Sequence, residues 1–494
     1  MELTILHTND LHGHLEAWRG WEGTLQGKTI GGLPTLAGAI KAARAECDGE
    51  YPLLDAGDLI GDTMLADLTE GKALIAALNH LRYDAMTIGN HEPDFGMAKL
   101  RERIQEAQFP VLAANMVSVE DQSLFTQPYL IRQCGRSRVG IIGLAYPKTA
   151  RTTASKNVSS FEFQAPQPAV EKFLPKLREE GAEIIVVLSH LGLQGDQQLA
   201  ESTRGIDVIV GGHSHNRMKT PLLVGNTLIV QAGAHGSDLG RLDLTIEDGK
   251  ITAHRCSLIT LDADKIKGDE AANRLVDQWC APHRAVLEEV IGHAADWLIR
   301  AQTLAGTEAR KRDEQSAVDS LFADVLVEET GADIAFLPGV GYGVAIPPGP
   351  ITAAQLRQMV PHEGKVVTMR LSGASILEIL EQAVENVFTR DPTIKVGGMI
   401  QVAGLRFKYR EDNARDHRVV DIQRTKGEWD AAGEFLVATN SMLAQGGHNQ
   451  KVFTRGQGSK EFESQYAMIK RAFQRGRPVS SPTDRRIERA SDEN

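Results

Sequence analysis

The sequence predicts a layered α/β fold for its first half, followed by a second, α+β domain. Three features carry that expectation: short unbroken apolar runs, helical stretches between them, and a polar motif closing each run. Such runs suit strands buried on both faces, and the ligands of such sheets gather beyond the carboxyl ends of the strands.

In chain order, Leu3-Thr4-Ile5-Leu6 leads to Asp10-Leu11-His12, and Tyr51-Pro52-Leu53-Leu54 leads to Gly57-Asp58. Residues 74–81 read as a helix, after which Ala85-Met86-Thr87-Ile88 leads to Gly89-Asn90-His91-Glu92. A helix at 170–177 precedes Ile184-Ile185-Val186-Val187-Leu188, which ends at His190. Val208-Ile209-Val210 then leads to Gly212-His213-Ser214-His215. Residues 228–246 read as closing strands, and 269–290 as one helix joining two domains. Beyond it, Val318, Leu321, Phe322, Val325 and Leu326 recur at helical spacing, as do Ile376, Ile379, Leu380, Val384 and Val387. Strand-like pieces fall at 334–337, 366–371, 405–409 and 435–438. From residue 476 the chain is rich in Arg, Ser, Pro and Asp, a composition expected to be mobile.

A chain of 494 residues is long enough for two domains. Its 42% hydrophobic and 24% charged residues are those of a globular protein, with no run apolar enough to span a membrane. The net charge of −11 argues against a broad nucleic-acid-binding face. Met1-Glu2-Leu3-Thr4-Ile5 carries no secretory pattern and the 4 cysteines lack metal or redox spacing, so a cytoplasmic location is expected.

The closing motifs supply carboxylates, an amide oxygen and imidazoles, a donor set suited to two divalent metals. Other histidines, among them His7, His14, His80, His235 and His254, read as ordinary surface or core residues.

In order and residue type these motifs resemble the calcineurin-like metallophosphoesterases. The resemblance implies that Asp10, His12, Asp58 and His215 hold one metal. Asp58, Asn90, His190 and His213 would hold the other, with Asp58 as the bridge. It makes His91 a charge stabiliser or leaving-group acid oriented by Asp94. Many relatives place Gln or Asn where His215 stands, and histidine there favours zinc or manganese over magnesium.

The two halves together resemble the 5′-nucleotidase family. His7-Thr8-Asn9-Asp10-Leu11-His12-Gly13 matches its opening motif. Gln401-Val402-Ala403-Gly404-Leu405-Arg406-Phe407, Val437-Ala438-Thr439-Asn440 and Ala444-Gln445-Gly446-Gly447 match its C-terminal half. The resemblance implies a layered α/β/β/α metallophosphoesterase domain over 1–265 and a connecting helix over 266–290. A C-terminal α+β substrate-specificity domain over 291–478 and a mobile tail over 479–494 complete it. The pocket departs from the family: Leu337-Pro338-Gly339-Val340-Gly341-Tyr342-Gly343 lacks its arginine, and its two base-stacking aromatics fall at Met399 and Gln450. Tyr342, Met399, His448 and Gln450 are the candidate substrate contacts. Pro338-Gly339-Val340-Gly341-Tyr342-Gly343 and Glu385-Asn386-Val387-Phe388-Thr389-Arg390-Asp391-Pro392 also resemble the SoxB thiosulfohydrolases.

The expected function is hydrolysis of a small anionic phosphate ester by two divalent metals, manganese or zinc, in the manner of a 5′-nucleotidase. A SoxB-like sulfohydrolase acting on a sulfate or thiosulfate ester is the alternative, and a non-catalytic binding module the outside one. No nucleic-acid or membrane partner is expected, and the sequence sets no oligomeric state.

Overall fold

The computed structural model describes residues 2–490 apart from 22, 48–50, 154, 301–312, 340–342, 362–363 and 390–397. The chain forms two compact units, one of Met1–Gly20 and Leu25–Arg284, the other of Trp21–Thr24 and Ala285–Asn494.

The first unit is built on two six-stranded sheets. In one, strands Glu2–Thr8, Leu53–Asp55, Ala85–Thr87 and Val111–Leu112 run parallel in that order, and Asp238–Glu247 and Lys250–Thr260 add antiparallel at the Glu2–Thr8 side. In the other, Ser137–Leu144, Ile184–Ser189, Val208–Gly211 and Thr227–Val230 are parallel, flanked by antiparallel Tyr129–Cys134 and Leu222–Val224. Strand Ile184–Ser189 shows why the apolar runs are continuous. Ile184, Val186 and Leu188 join Leu3, Ile5, Leu54, Leu242 and Leu244 in one core. Ile185 and Val187 point the other way, against Val170, Phe173 and Leu177 of helix Pro166–Glu179 and Leu199 of helix Leu193–Ser202. Helix Leu33–Ala45 packs on strand Asp238–Glu247, which places helices outside both sheets. The expected layered order is therefore present.

The linking helix is shorter than its sequence suggests. Helix Glu270–Cys280, capped by the Asp269 carboxylate on the N–H groups of Ala271 and Ala272, gives way to a 3-10 turn at Ala281–His283. Pro282 has no N–H to continue an α-helical ladder. A short helix, Arg284–Leu287, follows, and Val290 opens a strand instead of ending a helix. Helix Glu270–Cys280 packs on helices Leu33–Ala45 and Lys72–Leu81, inside the first unit.

In the second unit a five-stranded sheet runs in the order Gln401–Ala403, Ile334–Leu337, Glu434–Asn440, Lys365–Ser372, Gln457–Ser464. Helices Ala317–Thr330, Gly373–Phe388 and Gln465–Phe473 begin at Ser316, Ser372 and Ser464, each of which accepts a first-turn N–H. The segment expected as a mobile tail holds a paired strand among its described residues. Ile487–Arg489 pairs parallel with Leu405–Tyr409, and the Arg486 guanidinium bonds Asp324 and Asp484. A paired strand and a chelated, buried arginine supply what its polar composition lacks.

Candidate metal centre

Loops at the carboxyl ends of both sheets converge on one polar cluster. Thr8, Asp55 and Thr87 end the strands before Asp10, Asp58 and Asn90, and Ser189 and Gly211 end those before His190 and His213. Asp10 and His12 are locked to the Asp58 loop by a backbone ladder: Asp10 N–H to Gly57 O, His12 N–H to Asp58 O and Gly13 N–H to Leu59 O, each 2.9 Å. The turns are tight. Gly57 has φ 87°, and a Cβ there would lie 2.7 Å from Gly89 N and 3.0 Å from His190 Nδ1. Asp10, His12, Asp58, His213 and His215, none of them glycine, also hold φ between 45° and 72°. Left-handed backbone at such residues costs on the order of 1–3 kcal/mol each and collects where the surroundings demand a particular side-chain aim.

Three groups of side chains bring ligand atoms within 4.8 Å of one another: Asp10, His12 and His215; His12, Asp58 and His91; and Asp58, His190 and His213. Asp10 Oδ1 lies 3.3 Å from His215 Nε2 and 3.7 Å from His12 Nε2. Asp58 Oδ2 lies 3.0 Å from His190 Nε2 and 3.9 Å from His12 Nε2, so it faces both ends of the cluster. His12 Nε2 and His215 Nε2 approach to 3.1 Å.

These residues fit divalent cations. Asn90 Oδ1 is buried and makes no hydrogen bond. His190 Nδ1 is committed to Ala56 O at 2.7 Å, which leaves Nε2 for a metal. The cluster also calls for positive charge. Burial opposes a charge on His190, yet Asp58 and Asp10 hold its pKa up to about 10. Burial, with the neighbouring histidines, pushes His12 and His213 well below the ordinary histidine range, the neutral state a ligand needs.

His91 stands in this cluster with a different set of partners. Its N–H donates to Asp58 Oδ1 at 2.9 Å, and its Nδ1 lies 2.7 Å from Asp94 Oδ2. Asp94 is itself held, Oδ1 by Thr153 Oγ1 at 2.8 Å and its carbonyl by Asn157 Nδ2 at 2.7 Å. Burial would lower the His91 pKa, but the carboxylates of Asp94 and Asp58 raise it well above its ordinary value. Tyr146 lays its ring on His213, with centroids 4.0 Å apart.

Sequence reasoning missed several supports. Glu92 stands in the sequence only as part of the Gly89-Asn90-His91-Glu92 motif, and nothing in the sequence singles out Asp55. His14 and His235, expected as ordinary residues, pack beside the cluster: His235 lies 5.5 Å from the His12 ring and 4.5 Å from that of His14. Their signal is weak because only the fold brings residues 14 and 235 together.

Of the four expected substrate contacts, Met399 and Gln450 are packed into the interior of the second unit. Met399 is fully buried among Phe336, Ile400 and Val402. Gln450 is buried and donates from Nε2 to Ile379 O at 3.1 Å. Neither side chain offers an open face to a base, because both fill the packing of this unit. His448 is half-buried at φ 53°, its carbonyl accepting from Asn386 Nδ2 at 2.6 Å. Tyr342 lies outside the described residues.

The sequence profile of the calcineurin-like phosphoesterases matches residues 3–217, and that of the 5′-nucleotidase C-terminal domain matches residues 290–455. The chain is 27% identical to the trifunctional nucleotide phosphoesterase protein YfkN of Bacillus subtilis over 92% of its own length, but spans only 32% of that protein. It is 28% identical to the venom 5′-nucleotidase of Crotalus adamanteus over 85% of this chain and 76% of that one. Among solved structures, a 5′-nucleotidase precursor from Thermus thermophilus superposes over the full length of both chains with TM-score 0.88 and 28% identity. The sulfate thiohydrolase SoxB of Thermus thermophilus shares the fold, with TM-score 0.87 over 99% of this chain and 97% of that one, at 24% identity.

Proposed function

The chain belongs to the 5′-nucleotidase family of calcineurin-like phosphoesterases, and on that premise we propose that its first unit hydrolyses small phosphate esters at a centre for two divalent cations. The observation that carries the reading is the position of Asp58, whose carboxylate faces His12 at one end of the cluster and His190 at the other. Asp10, His12, Asp58 and His215 would hold one cation, and Asp58, Asn90, His190 and His213 the other. Carboxylates, one amide oxygen and imidazoles suit manganese or zinc. Bound, such a pair supplies a water of lowered pKa and neutralises charge on the phosphoryl oxygens.

The remaining work belongs to this chain. The carboxylates beside His91 favour its protonated form, in which Nδ1–H would donate to Asp94 and Nε2–H to a phosphoryl or leaving-group oxygen. Thr153 and Asn157 keep Asp94, and so the imidazole plane, in one orientation. His91 N–H and the Asp58 carboxylate fix each other, which ties the proton donor to the bridging ligand.

The test is release of inorganic phosphate and sulfate by manganese-loaded protein, with His91→Ala as the blank. The panel spans nucleoside 5′-monophosphates, 2′,3′-cyclic nucleotides, sugar phosphates and S-sulfocysteine. Phosphate release well above the blank from any of the phosphate esters is the expected result, and which ester turns over fastest names the substrate class. Sulfate release from S-sulfocysteine with no phosphate release would overturn the proposal in favour of sulfur-ester hydrolysis.

A further inference from the structure

His12 faces two ways. Its Nε2 edge looks into the cluster, towards Asp10, Asp58 and His215. Its Nδ1 edge looks out of it, and there Asp62 Oδ2 stands at 3.5 Å. That nitrogen is buried and makes no hydrogen bond. Asp62 Oδ2 also lies 4.0 Å from His235 Nε2, so one carboxylate sits between two imidazoles.

The backbone shows that this placement is costly to hold. Asp62 has φ 56° and is 4% exposed, a strained and buried setting for a charged residue. His235 likewise has φ 56°, and its N–H donates to Asp10 O at 2.8 Å, tying it to the same loop. Glycine would serve for chain reversal without strain at both positions, and both instead carry side chains that meet at 4.0 Å.

We infer that Asp62 is a positioning residue for His12, accepting a hydrogen bond from its Nδ1–H and so presenting the Nε2 lone pair to the cation shared with Asp10 and His215. The inference rests on the dinuclear reading above. A ligating imidazole needs one tautomer and one ring orientation, and an outer carboxylate on the far nitrogen sets both while making the ring a stronger donor. At 3.5 Å the pair is longer than a hydrogen bond, so the inferred bond requires it to close when the inner nitrogen is engaged. Asp62 stands behind the ligand ring, so its loss should weaken one cation and spare the other.

The experiment is a competitive chelator titration of manganese and of zinc, read as two stepwise affinities, on the unsubstituted protein, Asp62→Gly and Asp62→Asn. Glycine accepts φ 56° without strain, which keeps the loop conformation while removing the carboxylate. Asparagine also tolerates that conformation and keeps a neutral acceptor. In Asp62→Gly one of the two steps should fall about 10–100-fold with the other unchanged, and Asp62→Asn should recover part of the loss. Two unchanged affinities, or an equal loss of both, would overturn the inference; the second would mark Asp62 as a loop-shaping residue only. A chain with full thermal stability that binds no second cation before substitution would instead overturn the dinuclear reading and this inference with it.

Discussion

Glu92 and Asp58 are joined through the backbone. Glu92 Oε2 accepts the Asp58 N–H at 3.1 Å and the Gly89 N–H at 2.5 Å, while Oε1 accepts Leu59 N–H at 2.8 Å and Ile60 N–H at 3.3 Å. One buried carboxylate therefore staples the loop that carries Asp58 to the loop that carries Asn90 and His91.

Glu92→Gln tests that staple. An amide has one accepting oxygen, and its NH2 group would face N–H donors that now meet a carboxylate. Burial and Asp58 raise the Glu92 pKa to about 7, so above that pH the loss of charge-assisted bonds to buried donors costs about 2–3 kcal/mol, read by urea unfolding in the presence of a chelator. A change below about 0.5 kcal/mol, the level of an ordinary surface substitution, would show that the loops keep their places unaided.

Asp58→Ala should reduce bound metal from two equivalents to one or none, because its carboxylate faces both ends of the cluster. Asn90→Ala should weaken one position alone. Metal analysis after dialysis separates the two cases. Two equivalents retained in Asp58→Ala would remove it as the bridging ligand.

His91→Ala should keep both metals and lower kcat by about 10²–10⁴, the range for a positioned proton donor. Metal loss would instead make His91 a ligand, as its place beside His12 and Asp58 permits. Asp94→Asn isolates the charge. Burial alone lowers the His91 pKa, and Asp94 is the foremost group raising it. In the unsubstituted chain the proton donor is lost only as pH rises through that raised value. Without the Asp94 charge the alkaline limb of the kcat profile should move to lower pH. An unmoved limb would mean that His91 does not set it.

The difference between what the sequence shows and what it hides follows from the range of the interactions. Ile184 to Leu188 is visible as a strand because burial on both faces removes polar residues from the whole run. His190 and His213 are visible because each follows such a run at once. The break at Pro282 was also legible, since proline cannot donate in a helix, but the apolar spacing of 269–290 masks it. Met399 could not be placed by motif alone, because register within the motif does not say which face of the chain turns to the core. Asp62, His235 and Glu92 act through contacts between loops far apart in sequence, and a single chain records no such pairing.

Asp55 provides a test that needs no substrate. It is fully buried, with Oδ2 bonded by Thr8 Oγ1 at 2.6 Å and Oδ1 by Gly57 N–H at 3.0 Å, and Thr8 Oγ1 lies 2.8 Å from the Tyr83 hydroxyl. Burial raises its pKa to about 8, against hydrogen bonds from Thr8 and Gly57 that lower it. The unfolded chain has Asp55 near its ordinary value of 3.8. Between those limits the folded state holds a proton that the unfolded state has released, so folding is favoured at the acid end and the contribution is lost as pH rises towards 8. Asparagine reproduces the protonated carboxyl: its oxygen still accepts from Gly57 and its NH2 donates to Thr8 Oγ1. Thermal unfolding from pH 5 to 8 with a chelator present should therefore show stability falling with pH, and Asp55→Asn should flatten that slope. An equal slope in both proteins would show that Asp55 is ionised in the fold and that Thr8, Gly57 and Tyr83 hold its charge.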